Sequence, residues 1–223
     1  MKINLQPTNF IDSENSAVIN FVKEVIGNST DPKEQAIKLY YAVRDGFRYD
    51  PYHIQFTPKG MKASTVLAQG YGYCVSKAVL LAAAGRAVGI PTRLGFADVK
   101  NHLSSEKLKK MMQSDIFSWH GYTEFYLNNK WVKATPAFNK LLCDKASIKP
   151  LEFDGMNDSV FHEFDRSGNK HMEYLTEHGY FDDLPFQKIY EAYKKDYPMF
   201  TALFEPEAEF NIDGQFEDDA SAN

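Results

Sequence analysis

Tyr71-Gly72-Tyr73-Cys74-Val75-Ser76-Lys77-Ala78-Val79-Leu80-Leu81-Ala82-Ala83-Ala84-Gly85-Arg86-Ala87-Val88-Gly89-Ile90-Pro91 is the stretch that decides the fold. Residues 73–88 are the strongest helix in the chain, and Gly89-Ile90-Pro91 stops it with a glycine and then a proline. The segment is apolar all round, which predicts burial rather than a surface position. Cys74 opens it, directly after a glycine-containing turn. A thiol at that place meets the positive end of the helix dipole and unpaired backbone N–H groups. Both are expected to lower its pKa, and the Cys74 amide is the first candidate to hold a developing oxyanion.

Upstream, residues 13–26 space Ala17, Val18, Phe21, Val22, Val25 and Ile26 as a helix that Gly27 ends. Thr30-Asp31-Pro32 predicts a second helix start, with a capping hydroxyl and a proline in the first turn, running to Gly46. Residues 47–56 read as extended or loop, and Ser64 as the cap of a short helix over 65–69. Downstream, 92–99 reads as a strand and 104–113 as a short exposed helix. The clearest hairpin follows: 121–127 leads into Asn128-Asn129, and 131–134 returns. A two-residue loop makes paired positions sum to about 257, so Tyr122 faces Thr135 and His120 becomes a diagonal neighbour of Thr135. Beyond Pro150 the pattern weakens, until Leu184-Pro185 begins a helix carrying Phe186, Ile189, Tyr190 and Tyr193.

The 223 residues, 43% hydrophobic and 25% charged, fit one globular domain over 1–204, with an acidic tail over 205–223. That tail holds seven acids and no Lys or Arg, so the body carries +2 although the whole chain carries −5. A solvated, mobile tail is the expectation. A body so near neutral offers no basic surface for nucleic acid and no electrostatic case for a membrane. No apolar run approaches the length of a membrane span, and no basic, then apolar, signal segment opens the chain. Cys74 and Cys143 match no zinc or CxxC spacing and are too few for a disulfide framework, so free thiols in the cytoplasm are expected. Cys143, after Leu141-Leu142, reads as a packed thiol. His102, His162, His171 and His178 form no ligand spacing, and no GxGxxG or P-loop occurs, so neither a metal nor a cofactor is expected.

Three features recur together: Tyr71-Gly72-Tyr73-Cys74 at a helix start, Gly89-Ile90-Pro91-Thr92-Arg93, and His120 ahead of Glu124-Phe125-Tyr126-Leu127 and Trp131-Val132. In that order over about residues 63–139 they resemble the transglutaminase-like superfamily. The resemblance implies a papain-like α+β fold, a nucleophile helix packed on an antiparallel sheet. It also implies thiol chemistry on an amide or peptide carbonyl, with Cys74 as nucleophile and His120 as general base.

One position departs from the family pattern. Where the family has an aspartate after the Trp-Val strand, this chain has Thr135, which accepts a hydrogen bond but cannot ionise. Asn139, four residues on, and Asp98, at the end of the preceding strand, are alternative partners for the imidazole. The third member therefore stays open among Thr135, Asn139 and Asp98. Two functions follow from the residues: a thiol acyl-transfer enzyme taking a peptide or amide substrate, or a binding scaffold that keeps the fold without turnover.

Overall fold

The computed structural model of the protein describes residues 2–101, 106–161, 168, 171–197, 210–211, 214 and 216–219. At its centre lies the helix expected from the apolar stretch, which runs from Cys74 to Ala87 and is buried at every position from Cys74 to Arg86. In chain order it is α4, preceded by α1 (Ser16–Ile26), α2 (Pro32–Gly46) and α3 (Ala63–Gln69), and all three pack against it. Two expected caps differ in detail. The Asp31 carboxylate, not the Thr30 hydroxyl, accepts from the Lys33 and Glu34 N–H groups, because one carboxylate reaches two orphan donors. Ser64 sits inside the first turn of α3 rather than capping it, and its hydroxyl donates to Asp12 at 2.5 Å.

The other side of α4 is covered by an antiparallel sheet of four strands in the order β6-β5-β4-β7. These are β4 (Thr92–Asn101), β5 (Ile116–Leu127), β6 (Lys130–Ala134) and β7 (Met172–Phe181). Thr92 and Thr123 mark the face turned to the helix, since their hydroxyls donate to Ala82 O and Ala78 O at 2.8 Å each. The β5–β6 hairpin has the expected register: Leu127 pairs with Lys130, and the ladder runs back to Thr123 with Ala134. Asn128 and Asn129 turn it at φ 49° and 64°, the left-handed pair that matches strand twist. Pairing stops at Ala134, and the Thr135 N–H turns instead to Ser159 O at 3.1 Å.

The sequence reading misses β7, which pairs along β4 as an edge strand. Its residues alternate poorly because the register slips twice, between Phe96 and Ala97 and between Asp98 and Val99. Each slip places an extra residue, His178 and then Leu175, on the β7 side. Smaller elements complete the chain: β1 (Arg48–Tyr49) runs parallel to β3 (Tyr71–Gly72), α5 (Glu106–Met112) and α7 (Phe186–Asp196) contribute to the pocket at the end of α4 where Cys74 lies, and α6 (Lys140–Lys145) packs on α2. Part of the acidic tail is packed rather than solvated. Phe210–Asn211 (β8) pairs with His53–Ile54 (β2), and Phe216, in the short helix α8 (Phe216–Asp219), is buried with its ring between Tyr49 and Tyr52. Burial of the Phe216 ring opposes the self-repulsion of the acids around it.

Lys77 knits these layers together. Fully buried, its Nζ donates to Arg44 O, Phe47 O and Ala137 O at 2.9, 2.6 and 2.9 Å, tying the end of α2 and the segment after β6 to α4. Burial pulls its pKa down to about 7. Among the described residues no helix is long and apolar enough to cross a membrane.

Candidate active site

Cys74 is the first residue of α4, held by the local chain in a way the sequence motif explains. The Ser76 hydroxyl accepts from the Tyr73 N–H at 3.0 Å and contacts Tyr73 O at 3.2 Å, closing the first turn. A Cβ at Gly72 would stand 2.5 Å from that same Ser76 oxygen, so the turn needs glycine there. The strand comes equally close on the other side: a Cβ at Gly121 would meet Val75 Cα at 3.0 Å. This close approach sets the Gly121 N–H, with those of Val75 and Cys74, toward the sulfur.

Electrostatics differ from the expectation of a helix-activated thiolate. Burial pushes the Cys74 thiol up to about 11, and the three N–H groups offset this only in part. Desolvation outweighs the helix terminus because the side chain is 5% exposed. His120, 3% exposed, is driven down to about 3 by the same cause. At neutral pH the Cys74 thiol and the His120 imidazole are therefore both neutral.

His120 lies on β5 opposite Ala97, with the Phe161 ring 4.8 Å from its own. Its Nε2 is buried and, among the described residues, has no hydrogen-bond partner, and the same is true of Thr135 Oγ1. Thr135 is held by its backbone: its N–H goes to Ser159 and its carbonyl accepts from the Tyr40 hydroxyl at 3.1 Å. The other two candidate partners for the imidazole are occupied elsewhere. Asn139 stands just before α6 without capping it: its Oδ1 accepts from the Tyr49 N–H at 3.1 Å and its Nδ2 donates to Glu217 at 2.8 Å.

Asp98 sits between two bulges. On one side Ser118 and Trp119 of β5 stand opposite it alone, and Trp119 adopts φ 56°. On the other side Asp98 pairs with Thr176 between the two slips of β7 that leave His178 and Leu175 unpaired in the ladder. The Asp98 carboxylate accepts from the Trp119 N–H at 2.9 Å and bonds His178 Nε2 at 2.7 Å, while the Trp119 and His178 rings stack 4.2 Å apart. The bulge thus held immediately precedes His120. Sequence reading names Asp98 but cannot foresee this arrangement, since a bulge leaves no compositional mark.

Cys74 opens into a pocket with about 60 Å³ of room for the centres of water-sized molecules. Its walls come from segments outside the motif region as well as inside it, including Leu108 and Met112 of α5, Phe117 and Ser118 of β5, and Tyr193 and Tyr197 at the end of α7. The only sequence signal for this wall is the four-residue spacing of Tyr193 and Tyr197. Among the described residues no group of three His, Cys, Asp or Glu side chains could hold a metal ion, and His102 and His162 lie outside the described residues.

Comparison with known proteins bears on this site. No curated protein matches the chain. Among solved structures, a proposed cysteine protease from Cytophaga hutchinsonii aligns at TM-score 0.46 and 14% identity, over 80% of this chain and 53% of that one. An arylamine N-acetyltransferase from Mycobacterium abscessus aligns at 0.40 and 14%, over 60% and 46%. Red sea bream transglutaminase aligns at 0.39 and 15%, over 83% and 42%. The chain thus spans about half the length of these structures or less. The family model of the transglutaminase-like superfamily matches residues 19–136, more than half of the chain and inclusive of Cys74, His120 and Thr135. On that match, and with a nucleophile-type helix packed on an antiparallel sheet, the chain belongs to the transglutaminase-like superfamily.

Proposed function

We propose that the protein is a thiol-dependent acyl-transfer enzyme acting on amide or peptide carbonyls. Cys74 is the nucleophile and His120 the general base. The observation that supports this reading is the convergence at one helix end of the Cys74 thiol, three backbone N–H groups and an open pocket. Because thiol and imidazole are both neutral at rest, His120 takes the proton as the sulfur bonds the carbonyl carbon. The Cys74 amide holds the oxyanion. The carbon–nitrogen bond then breaks, the imidazolium returns its proton to the leaving amine, and a thioester remains. Water or a second amine resolves it, and water makes the smaller demand because it needs no site of its own. Both cysteines are free thiols, in keeping with the reducing cytoplasm we assign to the protein.

The unpartnered Thr135 hydroxyl favours a second reading, a scaffold that has lost turnover with its aspartate. Iodoacetamide labelling at neutral pH separates the two. An enzyme labels at Cys74 before Cys143, and His120→Ala slows Cys74 at least tenfold. Labelling of Cys74 that is indifferent to His120→Ala supports the scaffold.

A further inference from the structure

The pocket at Cys74 selects by what its walls lack. Ile54, Leu108, Met112 and Phe117 supply aliphatic and aromatic surface, and among the described residues no charged side chain lines it. Several of the polar groups that line it are already bonded within the protein. Tyr197 Oη donates to Ile116 O at 2.9 Å and accepts from the Ser118 N–H at 2.6 Å. The Ser118 hydroxyl donates to Asp196 at 2.6 Å. The Tyr73 hydroxyl donates to Met61 Sδ at 3.9 Å. A charged or strongly polar group entering here would surrender its water shell and find these donors and acceptors taken.

Size narrows the occupant further. At about 60 Å³ the pocket suits a compact side chain rather than an extended one. Because Cys74 is part of its wall, the group nearest the attacked carbonyl lies against these apolar side chains. We infer that the acyl donor carries a compact, neutral apolar group next to the carbonyl that Cys74 attacks. This rests on the acyl-transfer reading and adds to it the class of substrate.

N-acetylated amino-acid chloromethyl ketones test it on the full chain. The Cys74 sulfur bonds the methylene carbon, chloride leaves, and the thiol proton passes to His120 or to water. Rates of Cys74 alkylation are measured by peptide mass spectrometry for reagents with Leu, Phe, Asp and Lys side chains, each divided by its rate with free glutathione. Iodoacetamide, which has no side chain, gives the reference reactivity. The Leu and Phe reagents are expected to exceed the Asp and Lys reagents at least tenfold. Ile54→Lys should narrow the gap between the Leu and Asp reagents; if that variant does not fold, the wild-type ratios decide alone. Equal rates, or faster Asp or Lys reagents, with iodoacetamide still labelling Cys74, would overturn the apolar pocket and leave acyl transfer standing. A Cys74 that no reagent alkylates would overturn both.

Discussion

Asp98 and Trp119 are joined across a pair of bulges: the Trp119 N–H donates to the Asp98 carboxylate at 2.9 Å, one residue ahead of His120. A tryptophan at φ 56° is a costly backbone state, so something must hold it. The same carboxylate anchors His178, whose ring in turn stacks on Trp119. We propose that Asp98 acts on the site through the backbone that carries His120, as a positioning residue.

Asp98→Ala should cost about 1.5–3 kcal/mol, the range for a hydrogen bond to a charged group. A purely structural loss would stop there. The positioning role predicts in addition that the difference in Cys74 labelling between wild type and His120→Ala shrinks in the Asp98→Ala background. Asp98→Asn, which keeps an acceptor, should restore part of that difference. An undiminished difference would contradict the role.

His120 makes stability depend on pH in a defined window. The folded residue gains its proton only near pH 3, against 6.5 for the ordinary side chain. Between those values the unfolded chain binds a proton that the folded chain does not, so stability is complete above about 6.5 and is lost as pH falls toward 3. At pH 4.5 this amounts to about 2–3 kcal/mol relative to neutral pH. Denaturant melts of wild type and His120→Phe should diverge in that range, with wild type losing more. Parallel curves would show that His120 is not buried in its neutral form.

Thr135→Asp supplies the carboxylate that the family pattern carries at this position. With His120 Nε2 and Thr135 Oγ1 both buried and unpartnered, the substitution should raise the pKa of His120 and shift Cys74 labelling to lower pH. A folded variant with an unmoved profile would separate Thr135 from the imidazole.

The part of this architecture that was legible in the sequence is the part set by local rules. The all-apolar helix after Tyr71-Gly72-Tyr73, the Gly89-Ile90-Pro91 stop and the Asn128-Asn129 turn each carry their own backbone signal, and from them follow α4, the hairpin register and the places of Cys74 and His120. What stayed hidden depends on partners distant in the chain. Two slips hide the alternation of β7. Phe216 reads as one aromatic among acids until Tyr49 and Tyr52 are brought beside it. The thiol's raised pKa follows from how completely the fold covers Cys74, and a helix-start motif alone suggests the opposite sign.

The docked part of the tail makes a prediction of its own. Deleting residues 205–223 removes the buried Phe216 ring, worth about 1.5–3 kcal/mol. It also removes the Asp219 contacts to the Tyr52 hydroxyl at 2.7 Å and to Lys107 at 3.1 Å, which add little where they are exposed. Tm should fall by several degrees, and Phe216→Ala in the full chain should reproduce most of the fall. An unchanged Tm in both would mean that the tail does not dock.

An activated ester tests whether Cys74 forms a thioester with His120 as its base. With p-nitrophenyl isovalerate a burst of p-nitrophenolate is expected, with an isovaleryl group on the peptide containing Cys74. Hydroxylamine should release that group, His120→Ala should slow its formation at least tenfold, and Cys143 should remain unmodified. Acylation of Cys143 instead, or at Cys74 with a rate indifferent to His120, would rule out Cys74 and His120 as nucleophile and base.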